Sequence, residues 1–211
     1  MLLVKSALED SLPLMLLKIT HFGQNVLRTP GLPVTSFDPA LRQLANDMLE
    51  TMRAAEGIGL AAQQVGLALQ FCVIDLGDFP EEEIQFTLDG KALPLSLLMP
   101  LALVNPKVIP VAGASDVHEE GCLSFPGIRG AVERPLSVQV NYQDLEGVPH
   151  LLVAHGWFAR VIQHENDHLQ GVLFTDRMKP AVLRRLRSRI EKIERETLAD
   201  PERKNPGSAQ P

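Results

Sequence analysis

The sequence predicts an α+β fold, because strand-like runs cluster before and around one central helix and do not alternate with helices. The chain has 211 residues, of which 45% are hydrophobic and 22% charged, as in an ordinary globular protein of one domain. No apolar run reaches the roughly 18 residues that a membrane span needs. The composition therefore excludes a disordered chain, a fibre and a membrane bundle.

Cysteine content and charge narrow the class further. The two cysteines, Cys72 and Cys122, are too few for a disulfide scaffold and favour a reducing compartment. The net charge of −6 argues against a general nucleic-acid-binding protein. Residues 179–196 nevertheless hold seven Lys or Arg and three Glu, a local charge of +4. We interpret this segment as a docking element on an acidic body.

Three helices are predicted. The first begins at Asp38, an N-cap residue that is followed by Pro39 at the first helical position. The second covers residues 154–170 and ends at Gly171, which suits the left-handed position after a helix. The third, over 181–198, is amphipathic and charged.

The predicted strands lie between the first two helices. A buried strand is expected at 71–75, and further β-rich runs at 102–111 and 136–144. Residues 79–100 contain acidic residues, glycine and prolines, and are expected to form an inserted hairpin or loop.

The most informative motif is H-E-x-x-H at residues 164–168. Positions i and i+4 of a helix share a face, so the imidazoles of His164 and His168 can reach one cation. Random order would produce this pattern with an expectation of roughly 0.01. Both histidines and Glu165 fall on the apolar side of the predicted helix, where two imidazoles and a carboxylate would be costly without a metal. The motif predicts a metal site.

A catalytic metal site needs a third protein ligand and an open position. The sequence has no histidine after His168, so a third histidine downstream is excluded. Glu191, on the charged C-terminal helix, and Cys122, whose thiolate suits zinc or iron, are the alternatives. Cys72 lies in an apolar run and is expected to be a buried, inert thiol.

Three segments together resemble the peptide deformylase family: GIGLAAQQVG at 57–66, EGCLS at 120–124 and QHENDHLQG at 163–171. The resemblance covers residues 19–178 and implies antiparallel sheets around a central metal-bearing helix, with a C-terminal helix. It implies a metal-dependent hydrolase that removes the N-formyl group from N-formylmethionine of newly synthesised polypeptides and releases formate. Gln63 stands where a proline is usual in the family, and the 79–100 insertion is long.

The resemblance also implies roles for individual residues. It gives three ligands for one divalent metal: Cys122, His164 and His168. Fe(II) would be the native ion, with Zn, Ni or Co able to replace it. Glu165 would be the general acid and base, while the Gln64 side-chain amide and the Leu123 backbone N–H would bind the formyl oxygen.

Six residues are candidates for substrate binding: Gly57, Ile58, Gly59, Trp157, Val161 and Arg129. The two glycines form either a turn after the first helix or a place where a substrate backbone approaches closely. Ile58, Val161 and Trp157 are expected to line a pocket for the methionine side chain. Arg129 and Arg134 either pair with Glu120, touch substrate or remain solvated. Asp167 is expected to orient a ligand or to brace the loop.

Four segments follow from this organisation: an N-terminal extension at 1–16, a metal-dependent catalytic domain at 17–178, a basic amphipathic helix at 179–199 and a disordered tail at 200–211. The chain restarts at Met15 much as it begins at Met1, so Met15 is a candidate natural start.

The expected partners are N-formylmethionyl nascent peptides and, through the C-terminal helix, the ribosome surface. A membrane and a specific nucleic-acid sequence are not expected. The expected location is the bacterial cytoplasm, with an organelle as the alternative. Two other functions stay open on the residues alone: a zinc endopeptidase that uses Glu191, and a non-catalytic metal-bound module that docks through the basic helix.

Overall fold

The structure, a computed structural model, describes residues 14–77, 79–80 and 83–200. The predicted extension and tail therefore lie outside the described residues, apart from their inner ends. The described part of the chain contains three α-helices: α1 (Pro39–Ala54), α2 (Gly156–Leu169) and α3 (Pro180–Ala199). Its strands are β1 (Gly59–Ala61), β2 (Phe71–Ile74), β3 (Phe86–Leu88), β4 (Leu101–Pro110), β5 (Ser115–Gly121), β6 (Arg129–Pro135), β7 (Ser137–Gln143) and β8 (Pro149–His155).

The strands form a six-stranded sheet in the order β1-β2-β4-β7-β8-β3 and a separate two-stranded sheet of β5 and β6. Every pairing between these strands is antiparallel. The α+β prediction with antiparallel sheets around a central helix is confirmed. None of the helices in the described part of the chain has the length and apolar character needed to cross a bilayer.

Helix α1 begins as the sequence predicts. The Asp38 side chain accepts a hydrogen bond of 3.1 Å from the Leu41 backbone N–H, and Pro39 occupies the first turn. The apolar face of α1 is buried against β1 and β2, where Met48 and Met52 belong to the same core cluster as Phe71. This cluster supports β1, the strand that borders the candidate site.

Helix α2 is the central element. It begins at Gly156 and not at residue 154 as predicted, because Ala154 and His155 pair with β7 as the end of β8. Gly156 has a φ of +57°, which lets the chain reverse from β8 into the helix. Gly171 follows the helix with a φ of +69°, as predicted, and a Cβ there would lie 2.6 Å from the Arg28 backbone oxygen.

The inserted segment contributes β3, which pairs with β8 at the far edge of the six-stranded sheet, and a short 3-10 helix at Leu95–Leu97. Its apolar side chains join the core on one face of α2: Ile84, Phe86, Leu95 and Leu98. The sequence predicts a hairpin or loop here. The structure shows in addition that the insertion supplies an edge strand of the six-stranded sheet and part of the core.

Helix α3 confirms the predicted C-terminal helix and lies against the two-stranded sheet. The Leu186 side chain packs over Gly130 of β6, Ile190 is buried, and the Arg189 guanidinium donates a hydrogen bond of 2.5 Å to the Gly127 carbonyl. Most of its basic side chains are exposed. The helix is therefore attached by its apolar stripe and presents its positive charge outward.

Candidate metal centre and active site

A thiol and two imidazoles converge where the turn after β5 meets α2. Cys122 lies in the turn that follows β5, and α2 supplies His164 and His168 from successive turns of one face. One ligand atom from each residue lies within 4.8 Å of the others. The Cys122 Sγ and His168 Nε2 atoms are 3.3 Å apart. The predicted spacing of i and i+4 therefore brings both imidazoles to the same thiol.

The residues fit a divalent metal ion. His164 Nδ1 is 2.9 Å from Glu120 Oε2, and this hydrogen bond leaves His164 Nε2 available as a ligand. Cys122 is a free thiol. One thiolate and two imidazoles are donors that suit zinc, iron and other divalent ions of the first transition row.

Glu120 holds this centre in a buried network of charges. It accepts two hydrogen bonds from Arg134, of 2.7 and 2.9 Å, and one of 2.7 Å from Arg160. Burial alone would raise the pKa of Glu120, but the hydrogen bonds from Arg134 and His164 outweigh burial and hold it well below its usual range. Glu120 is therefore an anion that fixes the orientation of the His164 ring.

Arg134 pairs with Glu120, which is one of the three roles that the sequence analysis considered for it. It is buried and donates a hydrogen bond of 2.8 Å to Asp167. Asp167 also pairs with Arg177, at 2.7 Å. Asp167 thus braces the arginine that holds Glu120.

Glu165 is a buried carboxylate directly beside the cluster. It is 4% exposed, and burial raises its pKa to about 7. Its side chain lies against Gly59 of β1, and a Cβ at that position would overlap Glu165 Oε1. A turn and an approaching substrate backbone are the two reasons for glycine at position 59 that the sequence indicates. The structure adds a third reason, because the missing side chain makes room for Glu165.

Gln64 and Leu123 flank the same cluster. Gln64 Oε1 accepts a hydrogen bond of 2.8 Å from the Ala61 backbone N–H, so the amide nitrogen is the end of the side chain that is left to donate. That nitrogen is 3.4 Å from both Cys122 Sγ and Ser124 Oγ. Leu123 lies beside Gly57, where a Cβ would be 2.8 Å from Leu123 Cδ1. The Gln64 amide can therefore donate toward the space next to the thiol.

These groups open onto a cavity of about 500 Å³. All six predicted substrate-binding residues line it: Gly57, Ile58, Gly59, Trp157, Val161 and Arg129. Gln64, Cys122, Leu123, His164 and Glu165 line it as well, while His168 lies behind them and is 1% exposed. The cavity thus has a chemical end near Cys122 and an apolar wall of Ile58, Val161 and Trp157.

The structure also gives the positions of the two other residues that the sequence analysis considered, Glu191 and Cys72. Glu191 lies on the exposed part of α3, pairs with Arg187 at 2.7 Å, and is not in the ligand cluster. Cys72 is buried in β2, where burial raises the pKa of its thiol well above its ordinary value, as expected for an inert cysteine.

Several residues of the cavity wall were not assigned to the site from the sequence, among them Phe79 and Arg160. Phe79, from the insertion, has no motif around it that could have indicated a role. Arg160 is buried and bonded to both Glu120 and Asp116. Its position one turn before His164, on a helix that is otherwise apolar on that side, was a signal that it would be paired.

Comparison with known proteins agrees with this geometry. The family model described as polypeptide deformylase matches residues 16–183. A peptide deformylase of Opitutus terrae is 54% identical over 169 residues, covering 78% of this chain and 86% of that protein. One of Methylacidiphilum infernorum is 42% identical over 181 residues, covering 86% and 94%.

Solved structures show the same likeness. The crystal structure of a plant peptide deformylase superposes with a TM-score of 0.77 at 35% identity, covering 92% of this chain and 97% of that chain. The structure of peptide deformylase from Thermotoga maritima gives a TM-score of 0.67 at 38% identity, covering 79% and 99%. The chain belongs to the peptide deformylase family, whose members are metal-dependent hydrolases that remove the N-formyl group from newly synthesised polypeptides.

Proposed function

We propose that the cavity between α2, β1 and the turn after β5 is the site of deformylation. The proposal rests above all on the convergence of Cys122, His164 and His168, with ligand atoms within 4.8 Å of one another. In this proposal the three residues hold one divalent ion. Fe(II) is the proposed native metal, and Zn, Ni or Co can replace it, because a donor set of one thiolate and two imidazoles suits all four ions.

A bound divalent cation supplies Lewis acidity, which makes a water molecule nucleophilic near neutral pH. Glu165 takes the proton of the attacking water and then passes it to the leaving amine, because it lies beside the ligands without being one. As negative charge develops on the formyl oxygen, the Gln64 amide and the Leu123 backbone N–H donate hydrogen bonds to it. Formate and a free amino terminus are the products.

The peptide is proposed to bind along β1. That strand is at one edge of the six-stranded sheet, so its outer backbone groups can pair with an extended chain. Gly57 and Gly59 carry no side chains that would stand in the way of such a chain, and Arg129 lines the same cavity. Ile58, Val161 and Trp157 form the pocket for the methionine side chain.

The decisive experiment measures formate release from formyl-Met-Ala together with the metal content of the same sample. Wild-type protein should release formate and contain about one metal ion per chain. Cys122→Ala should lose both, whereas the matched control Glu191→Ala should keep both. If Glu191→Ala lost its metal and Cys122→Ala kept it, the endopeptidase alternative would replace this proposal.

We further propose that residues 17–178 form the catalytic domain and that the helix at 179–199 docks it on the ribosome. The exposed Arg184 and Arg185 lie outside the apolar stripe that attaches α3, so they are free to meet rRNA phosphates. Full-length protein should co-sediment with ribosomes in a salt-sensitive manner, and truncation from Lys179 should abolish this.

A variant with Arg184→Ala and Arg185→Ala tests the charge without removing the helix. It should co-sediment less than wild type, while Lys107→Ala, which removes an exposed cation on β4, should not change the amount bound. Equal co-sedimentation by all three proteins and by the truncated chain would reject the docking role.

The proposed location is the bacterial cytoplasm. The relatives in Opitutus terrae and Methylacidiphilum infernorum support it, and the likeness to a plant enzyme keeps an organelle as the alternative. Fractionation of the source cells with an antibody against the chain distinguishes the two.

A further inference from the structure

The chain that leaves β2 carries Phe79 to the wall of the cavity. The Asp75 backbone N–H donates a hydrogen bond of 3.0 Å to the Ile58 carbonyl, so the turn starts beside the cavity. Leu76 is fully buried, and the Phe79 N–H donates a hydrogen bond of 2.9 Å to its carbonyl. The Asp75 carboxylate pairs with Arg53 of α1 at 2.6 Å. These contacts anchor the chain at Asp75 and Leu76, and the hydrogen bond to Leu76 reaches Phe79 itself.

The Phe79 ring contributes to an aromatic group around Trp157. The centroids of the Phe79 and Trp157 rings are 6.5 Å apart, with an interplanar angle of 28°. His118 of β5 meets the same indole edge-on, at 6.3 Å and 78°. Phe79 and Trp157 both line the cavity and pack against the same core cluster. Trp157 thus contacts two rings that come from separate parts of the chain, Phe79 after β2 and His118 in β5.

Phe79 lies at the end of the pocket that is remote from the chemistry. Trp157, Val161 and His164 occupy positions i, i+4 and i+7 of α2 and therefore share one face. Seven residues of helix separate Trp157 from His164 by about 10 Å along the axis. The apolar wall runs along this length from the ligand to the aromatic group, and Phe79 packs at its far end.

We propose that Phe79 determines specificity by closing the pocket that receives the first side chain of the substrate, and so sets the length of side chain that is accepted. The proposal rests on the proposed function, because it takes Ile58, Val161 and Trp157 as that pocket. An unbranched thioether side chain that fills the pocket would end against the rings of Phe79 and Trp157. Sulfur makes favourable contacts with aromatic rings. A side chain one methylene longer would have to displace the Phe79 ring from its contact with Trp157.

The test compares formyl-Met-Ala with formyl-ethionyl-Ala, which differ by one methylene beyond the sulfur, on full-length metal-loaded protein. Wild type should prefer the methionyl peptide. Phe79→Ala should shift the ratio of kcat/KM values toward the ethionyl peptide by about tenfold, the usual effect of one methylene in an apolar pocket. Phe79→Leu keeps apolar bulk and should shift the ratio in the same direction by less.

Leu97→Ala is the matched control, because Leu97 belongs to the same insertion, is 73% exposed and does not line the cavity. It should leave the ratio unchanged. If Phe79→Ala lowered kcat/KM equally for both peptides, Phe79 would have only a supporting role and the proposal would be overturned.

A binding measurement separates this proposal from the proposed function. Trp157 is the single tryptophan of the chain, so its emission reports on the pocket without turnover. Met-Ala should change that emission when it binds, and its affinity should be lower for Phe79→Ala than for wild type. The affinity of ethionyl-Ala should fall less than that of Met-Ala on the same substitution, or should rise. Equal affinity changes for both dipeptides would overturn the role of Phe79. Wild-type protein that released no formate would instead reject deformylation at this site.

Discussion

At the scale of a single residue, Glu165 combines a carboxylate with a surrounding that favours its neutral form. Its side chain lies against Gly59 and is almost fully buried, and burial raises its pKa to about 7. A divalent ion held by the neighbouring ligands would lower this pKa, so burial and the ion act on the same carboxyl group in opposite directions. The position of the carboxyl group beside the ligands suits the two proton transfers that we propose for Glu165.

Replacement of Glu165 by Gln keeps the shape of the side chain and removes the base. The three proposed ligands are untouched, so metal content should stay near that of wild type. Loss of general acid–base catalysis should lower kcat by roughly 10²–10⁴. Formate assays and metal analysis of one preparation check both points. A metal-replete Glu165→Gln protein with near wild-type kcat would remove Glu165 from the mechanism.

Glu120 compensates two buried arginines and one imidazole, so its charge is expected to matter for stability. Glu120→Gln leaves the buried cations of Arg134 and Arg160 without this partner, and should lower the free energy of unfolding by about 3–5 kcal/mol. It also weakens the acceptor of His164, and metal affinity should fall by about 10–100-fold.

Urea unfolding and chelator competition measure these two effects. The matched control is Glu133→Gln on β6, because Glu133 is exposed and lies 3.8 Å from Lys179. That change should cost less than about 1 kcal/mol. Equal stability of the Glu120 and Glu133 variants would contradict the importance of the buried network.

At the scale of elements, His150 links three parts of the six-stranded sheet. It lies in β8, with its Nδ1 2.8 Å from Asp89 after β3 and its Nε2 3.3 Å from Asp144 after β7. Tyr142 packs against its ring, and Lys91 lies near Asp89. The hydrogen bonds to Asp89 and Asp144 outweigh partial burial and raise the pKa of His150 above its ordinary value.

This link predicts a pH-dependent contribution to stability. Because the pKa of His150 is higher in the folded than in the unfolded state, its stabilisation is complete below the unfolded value of about 6.5. It is lost as the pH rises through the folded value. His150→Gln should therefore lower the free energy of unfolding more at pH 5.5 than at pH 9.5, as measured with urea. In a double-mutant cycle with Asp89→Asn the coupling should disappear at the higher pH.

Elements that depend on local signals could be predicted from the sequence, and those that depend on distant pairing could not. The start of α1 follows from Asp38 and Pro39, and the end of α2 from Gly171. The pairing of β3 with β8 and of β4 with β7 joins residues whose partners no local pattern identifies. Ala154 was placed in α2 because a short apolar run has no periodicity that separates strand from helix.

At the scale of the whole molecule, a metal at the proposed site would join parts of the chain that are otherwise separate. Cys122 follows the two-stranded sheet, while His164 and His168 belong to the helix that packs on the six-stranded sheet. An ion that binds the folded form alone, at one hundred times its dissociation constant, adds about 2.7 kcal/mol to the free energy of unfolding.

Removal of the metal with a chelator should therefore lower the midpoint of thermal unfolding of the wild-type protein. Restoring the metal should recover it. Cys122→Ala is the control, since its midpoint should be the same with and without chelator. An identical chelator effect on both proteins would show that the stabilising ion binds elsewhere.

In the candidate site, too, the residues that share a local sequence pattern could be predicted, and those brought together from distant parts of the chain could not. His164, Glu165 and His168 could be predicted because a helix repeats on one face every three to four residues. Cys122 required the family resemblance, since its distance from α2 along the chain says nothing about its distance in space. Phe79 and the pairing of Arg160 with Glu120 depend on how the insertion and β5 approach α2.

The contact between Gly59 and Glu165 has a consequence for how this gene can vary. Every non-synonymous single-nucleotide change in a glycine codon adds at least a Cβ or ends the chain, and any Cβ at Gly59 would overlap the Glu165 carboxylate. A library of all codons at this position, selected for growth that depends on the enzyme, should return glycine codons alone. At codon 90, where a Cβ on Gly90 would meet nothing within 4 Å, the same selection should tolerate Asn as well, since Asn adopts positive φ more readily than other residues with side chains.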